Sequence, residues 1–175
     1  SLTSVTIGNH VTRIANNAFY KTSISKVIWL TNTPPGGYSY VKGFIHYVPN
    51  TSYRELSNTK VYPSLNSIFE VGGIKYVPVS LSERTCDAID CIYTGDAYEV
   101  NIDKKVNYKG FDITVREINP YTGYKCHKIT KANININGSI GHNAFSGCSS
   151  LKSTRIHKDV KELKDHVFYG CGALS

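Results

Sequence analysis

Apolar residues in this chain fall in short groups of one or two, separated by polar residues and turn formers. Val5-x-Ile7 and Val11-x-x-Ile14 are too short for helices and predict short strands. Asn16-Asn17-Ala18-Phe19 predicts a tight helical turn that inserts Phe19 into a core. Ile24 and Val27 then restart the pattern, with Ile24 lying 22 residues after Leu2. Near the other end, Ala144-Phe145-Ser146-Gly147-Cys148-Ser149-Ser150-Leu151 is echoed by Val167-Phe168-Tyr169-Gly170-Cys171-Gly172-Ala173-Leu174, 23 residues later. A third, shortened copy runs through Ile134, Ile136, Ile140-Gly141 and Ala144-Phe145. Each unit has one apolar side that it cannot bury alone. Stacked units bury it jointly, Phe over Phe and Cys over Cys.

The pattern Leu-x-x-Val-x-Ile, Val-x-x-Ile, Ala-Phe-x-Gly-Cys-x-x-Leu resembles the BspA-like leucine-rich repeats over residues 1–30 and 129–175. Thr154 stands where an apolar residue is expected, and Val167 replaces Ala. The resemblance implies a leucine-rich-repeat solenoid, mostly β with short helical turns. It also implies a surface or secreted protein, since the family occurs mainly in such proteins of anaerobic bacteria and some protozoa.

The middle of the chain lacks the repeat. Thr31-Asn32-Thr33-Pro34-Pro35, Ile45-His46-Tyr47-Val48-Pro49 and Ser52-Tyr53-Arg54-Glu55-Leu56 are similar to the closing segment of such solenoids. Pro34-Pro35 is expected to stop the coil. Phe69 to Val79 predicts a hairpin turning at Gly72-Gly73, and Val106 to Val115 a second one turning near Lys109-Gly110. The expected organisation is therefore repeats at 1–30, a cap at 31–69, a β-rich opening or linking module at 70–128, and truncated repeats at 129–175. The chain reads as a piece of a longer protein, and its two end coils suggest end-to-end self-association.

Composition adds exclusions. Hydrophobic residues make up 41% of the chain and no apolar run approaches a membrane span, so no membrane insertion is expected within these residues. The net charge of +7 is spread thinly: residues 1–30 hold three basic groups and no acid, while 70–128 hold eight basic against nine acidic. No basic cluster forms, so no nucleic-acid partner is expected.

Cys148 and Cys171 share one repeat slot and read as small buried apolar residues. Cys86 and Cys91 are candidates for a short disulfide in an extracellular loop. With Cys126 and His127 they offer zinc-ligand atoms, but not at a recognised spacing, and neither a metal nor a cofactor is expected. The sequence carries no serine-hydrolase elbow, zincin helix or phosphate loop. Acids such as Asp87, Asp90, Glu99 and Glu117 suggest no facing pair, so the chain is not expected to be an enzyme. Tyr38, Tyr40, Tyr47 and Tyr53 crowd the closing segment, where packing is the preferred reading over sugar stacking.

Alternation gives a candidate binding strip. If Val5 and Ile7 point inward, Thr6 points outward, with Ile28 and Arg155 in the same slot of later copies. Lys26 takes the neighbouring outward slot and Lys152 flanks the last copy. Thr6, Lys26, Ile28, Lys152 and Arg155 are thus expected to line an exposed sheet that meets a protein or glycan at a cell surface. A purely structural spacer is the alternative, and a carbohydrate-active enzyme a distant third.

Overall fold

The computed structural model describes residues 3–38, 41, 44–49, 52, 53, 56, 57, 59–62, 67–92 and 95–175, with the main chain alone at Ile45. Tyr40 lies outside the described residues. The chain forms two compact units, 1–67 and 68–175.

Unit 1 is built on four short parallel strands in the order β1 (Ser4–Ile7), β2 (Lys26–Trp29), β3 (Ile45–Val48) and β4 (Thr59–Val61). β1 and β2 pair with a 22-residue offset, Ser4 against Lys26 and Ile7 against Trp29, which is the sequence period expressed as register. Pro34-Pro35 does not stop the ladder. Gly36, immediately after the pair, bridges Arg13, and β3 then pairs with β2. The prolines fall between strands, where no ladder N–H is needed. Ile7, Ile14, Ile24, Val27, Trp29 and Val48 fill the core with Tyr53. Tyr53 packs 5.1 Å from the Trp29 ring and donates its hydroxyl to the Thr31 carbonyl at 2.7 Å. Tyr38 meets Tyr53 edge-on, and Tyr47 packs on Tyr62, so the described tyrosines of this segment serve packing.

Unit 2 opens with hairpins. β5 (Phe69–Val71) returns as β6 (Ile74–Ser80) through Gly72-Gly73, both at positive φ as a two-residue turn requires. β6 pairs antiparallel with β7 (Thr85–Cys91). β9 (Lys105–Tyr108) and β10 (Phe111–Ile118) form the second hairpin around Lys109-Gly110. Pairing then turns parallel: β10 meets β7 on one side and β12 (Ser139–Ile140) on the other, and β12 meets β14 (Glu162–Leu163). A separate parallel sheet runs β13 (Ser153–Ile156), β11 (Ile129–Asn135), β8 (Tyr98–Asp103). Gly138 and Gly141 permit the close approach of successive coils, since a Cβ there would strike the main chain at Arg116 and Pro120.

The connecting turns differ from the expected helical form. No α-helix occurs among the described residues. Asn16–Lys21 is a run of turns with bonds from Ala18 N to Ala15 O and from Tyr20 N to Asn17 O. Asn17 and Lys21 adopt φ of 64° and 57°, and such left-handed residues cannot propagate a right-handed helix. Asn143 and Gly147, then His166 and Gly170, repeat this pair of positive φ values. The turns still deliver their rings inward: Phe145 is fully buried and stacks on half-buried Phe168 at 5.9 Å, while Phe19 is half-buried in unit 1.

Candidate binding face

The three strands β8, β11 and β13 alternate apolar and polar residues in register. Val100, Ala132 and Thr154 form one inward row, and Ile102, Ile134 and Ile156 the next. The intervening rows, Glu99–Lys131–Ser153 and Asn101–Asn133–Arg155, face outward, followed by Asp103 beside Asn135. Parallel strands about 4.8 Å apart thus hold polar side chains in fixed columns.

Several outward groups bond across the strands. Asn133 Nδ2 donates to Asn101 Oδ1 at 2.7 Å, and Asn135 Nδ2 to Asp103 Oδ1 at 3.4 Å. Lys131 lies 3.6 Å from Glu99. His157, just past β13, lies 3.5 Å from Asp159. Lys104 bonds the same Asp159 and holds its carboxyl below the usual carboxylate range. Other groups of this face make no such bond among the described residues. Asn135 Oδ1 is shielded from solvent and accepts no bond, and exposed Arg155 joins no ion pair. Both line an open groove of about 500 Å³, together with Asp103, Lys131, Asn133 and His157. The exposed guanidinium, beside the amide columns, suits a polar ligand rich in hydrogen-bond acceptors.

The residues expected to share one exposed strip are divided. Thr6 is exposed on β1 in unit 1, and Lys152 and Arg155 are exposed at β13 in unit 2. Lys26 and Ile28 correct the expectation: their relative exposures are 0% and 1%. β2 is an inner strand, and its outward row continues from Ile28 to Tyr47, which the Tyr62 ring covers in turn. Alternation placed these two residues on the face opposite Val27 and Trp29, but that face is not open. The polar columns on β8 and β11 went unnamed. Their signal was present in Tyr98-Glu-Val-Asn-Ile-Asp103 and Ala132-Asn-Ile-Asn135, which alternate strictly.

The disulfide expectation is also corrected. Cys86 and Cys91 occupy opposite ends of β7 and all five cysteines are free. Five extended steps of about 3.3 Å separate their Cα atoms by roughly 16 Å, far beyond the reach of a bridge. The stretch was expected to be a loop and is a strand. Cys86 is buried, and burial pushes its thiol up to about 12. Burial raises Cys148 as well. The Cys148 thiol donates to Gly123 O at 3.1 Å and that of Cys171 to Phe145 O at 3.2 Å, each carbonyl belonging to the preceding coil. Cys126 instead meets the Tyr98 hydroxyl, and His127 meets Ser149. No metal-binding group of three His, Cys, Asp or Glu residues assembles among the described residues. Of the acids, Asp87 is buried 3.3 Å from Arg116 and Glu99 is paired with Lys131.

Comparison with known proteins locates this arrangement. Six copies of the BspA type leucine rich repeat region match residues 1–41 and 103–175, extending beyond the segments quoted from sequence. A leucine-rich repeat protein from Bacteroides ovatus superposes with a TM-score of 0.53 at 28% identity, over 61% of this chain and 28% of its own. One from Bacteroides capillosus gives 0.53 at 19% identity, over 62% and 79% respectively. A leucine rich cell surface protein from Faecalibacterium prausnitzii gives 0.49 at 23%, over 62% and 29%. The chain thus spans less than a third of the length of two of these three relatives. No curated protein matches it. With well over half of its length matched by repeat copies, the chain belongs to the BspA-type leucine-rich repeat family.

Proposed function

We propose that this chain is a non-catalytic binding module of a surface or secreted protein, and that the polar face of β8, β11 and β13 is its docking surface. The supporting observation is exposed Arg155, which joins no ion pair, in a groove on a face where several polar groups are fixed by cross-strand bonds. Such a face offers broad, preorganised contact with a macromolecule. Family membership supports the surface location, and the buried, unreactive Cys86 and Cys148 are compatible with an oxidising exterior. The face-to-ligand contact is tested by replacing Lys152 and Arg155 together with Glu and measuring binding to immobilised host-matrix proteins. Loss of saturable binding with an unchanged melting temperature is the expected outcome. Unchanged binding would move the docking site elsewhere.

A structural spacer is the second reading. It is favoured by the same cross-strand bonds, Asn133 to Asn101 and Lys131 to Glu99, which stiffen a stack of coils without any ligand. A parent chain that binds no matrix component would leave this reading standing.

A further inference from the structure

The turns that join the coils carry a recurring tyrosine, exposed at Tyr20 and Tyr169 and half-buried at Tyr124. In unit 2 three consecutive turns are locked by main-chain bonds: Tyr121 N to His142 O at 3.1 Å, Lys125 N to Ser146 O at 2.8 Å, Asn143 N to Asp165 O at 3.0 Å and Gly147 N to Tyr169 O at 2.7 Å. This ladder makes Tyr124, Ser146 and Tyr169 equivalent, one position before the second left-handed residue of each turn. Tyr20 fills the same position in unit 1. Tyr20 and Tyr169 are 68% and 69% exposed, so the core does not require them. Ser146, the small polar residue at this position in the middle turn, is buried and keeps the same main-chain bonds. Rings as open to water as Tyr20 and Tyr169, with half-buried Tyr124 at the same position, are not accounted for by the core alone.

The surroundings of the unit 2 tyrosines give the chemistry. Tyr124 stands edge-on to Tyr121 at 5.0 Å, and Tyr169 edge-on to His166 at 5.5 Å. A T-shaped pair covers at most one face of one ring, although the Lys125 ammonium also lies over the Tyr124 ring, 5.1 Å from its centroid. Between these two aromatic pairs lies the middle turn, which presents hydrogen-bonding groups instead of rings. Asn143 Nδ2 reaches the Tyr121 hydroxyl at 3.4 Å, and His142 lies 3.4 Å from the Asp165 carboxylate. The apolar members of these turns, Ala144, Phe145 and Val167, are buried, so the edge offers no aliphatic patch to a protein partner. Two coil spacings of about 4.8 Å each separate the Tyr124 turn from the Tyr169 turn. Aromatic faces flanking amide, imidazole and carboxylate groups suit pyranose units, whose C–H faces pack on rings while their hydroxyls bond the polar groups.

We propose that the turn edge carrying Tyr121, Tyr124, Asn143, His166 and Tyr169 is a carbohydrate-binding platform for a neutral glycan chain. It is separate from the sheet face and does not depend on that reading. The test is affinity electrophoresis of the 175-residue chain through gels containing the neutral polysaccharides mixed-linkage β-glucan, galactomannan or xyloglucan. It is run beside Tyr124→Ser/Tyr169→Ser, which installs the residue the repeat already uses at Ser146. Retardation of the parent by at least one polysaccharide is expected. The double variant should bind on the order of tenfold more weakly at unchanged melting temperature. Lys152→Glu/Arg155→Glu should be retarded like the parent. A parent that runs unretarded in every gel overturns the proposal. So does a tyrosine variant retarded like the parent, or tyrosine-dependent capture by matrix protein alone.

Discussion

The two units use the same repeat grammar and treat the outward face of their parallel strands in opposite ways. In unit 1 the row through Ile28 and Tyr47 is sealed, and Lys26 is enclosed with it. In unit 2 the equivalent rows through Asn133 and Arg155 stay open and polar. Alternation therefore reports which residues share a face. Whether that face meets water depends on what else packs there, as Tyr62 does on Tyr47.

The sharpest way to break this comparison is charge reversal in both units. Lys26→Glu should destabilise unit 1 by about 5 kcal/mol or more, because a carboxylate would be enclosed where a cation is accommodated. Arg155→Glu should change stability by no more than about 0.5 kcal/mol. Urea denaturation followed by Trp29 fluorescence, the chain having a single Trp, reads unit 1, and far-ultraviolet circular dichroism on the same samples includes unit 2. Equal midpoints for the two variants would show that the faces do not differ. Next comes the ring that each turn inserts. Phe145→Ala should cost about 4 kcal/mol, since the ring is fully enclosed, and Phe19→Ala about half as much. Circular-dichroism melts rank the pair, and a larger loss at Phe19 would reverse the stated order of burial.

A pH effect distinguishes the units further. His46 is buried in unit 1, where its Nδ1 accepts from Trp29 Nε1 at 3.2 Å. Burial lowers its pKa from 6.5 to about 4. The folded state therefore binds this proton less readily than the unfolded one. Its contribution is complete above about pH 6.5 and declines as the pH falls towards 4, by up to roughly 3 kcal/mol. Glu55 is the one acid in residues 1–67, so carboxylate titration adds little to that slope. A urea midpoint monitored at Trp29 that stays constant from pH 7 to 4.5 would refute it. The smallest effect concerns thiols. Reductant should leave the melting temperature unchanged, and non-reducing mass spectrometry should show five free cysteines. A disulfide mapped by peptide digestion to Cys86 and Cys91, two hydrogen atoms lighter, would contradict their strand placement.

Local chemistry carried much of the fold into the sequence. Gly72-Gly73 and Lys109-Gly110 marked their hairpins because two-residue turns demand positive φ. The spacing from Leu2 to Ile24 reappears as the offset of Ser4 against Lys26. The binding face was legible only in part. Arg155 and Lys152 were named, whereas Asn101, Asn133, Asn135 and Asp103 gain meaning only when β8 is known to pair with β11. Two readings failed because a local pattern was compatible with more than one conformation. Thr85–Cys91 served equally as loop or strand, and Asn16–Phe19 as helical turn or left-handed turn.

What the sequence by itself determined is periodic: the repeat, its register, the inward rings and the hairpin turns, all set by steric limits on a few adjacent residues. What only the tertiary structure decided is coverage. Lys26 and Arg155 are both cations on short parallel strands, and both were placed outward by the same alternation. One is enclosed and the other free, because burial depends on residues distant in the chain that pack over a face, and side-chain alternation carries no information about them.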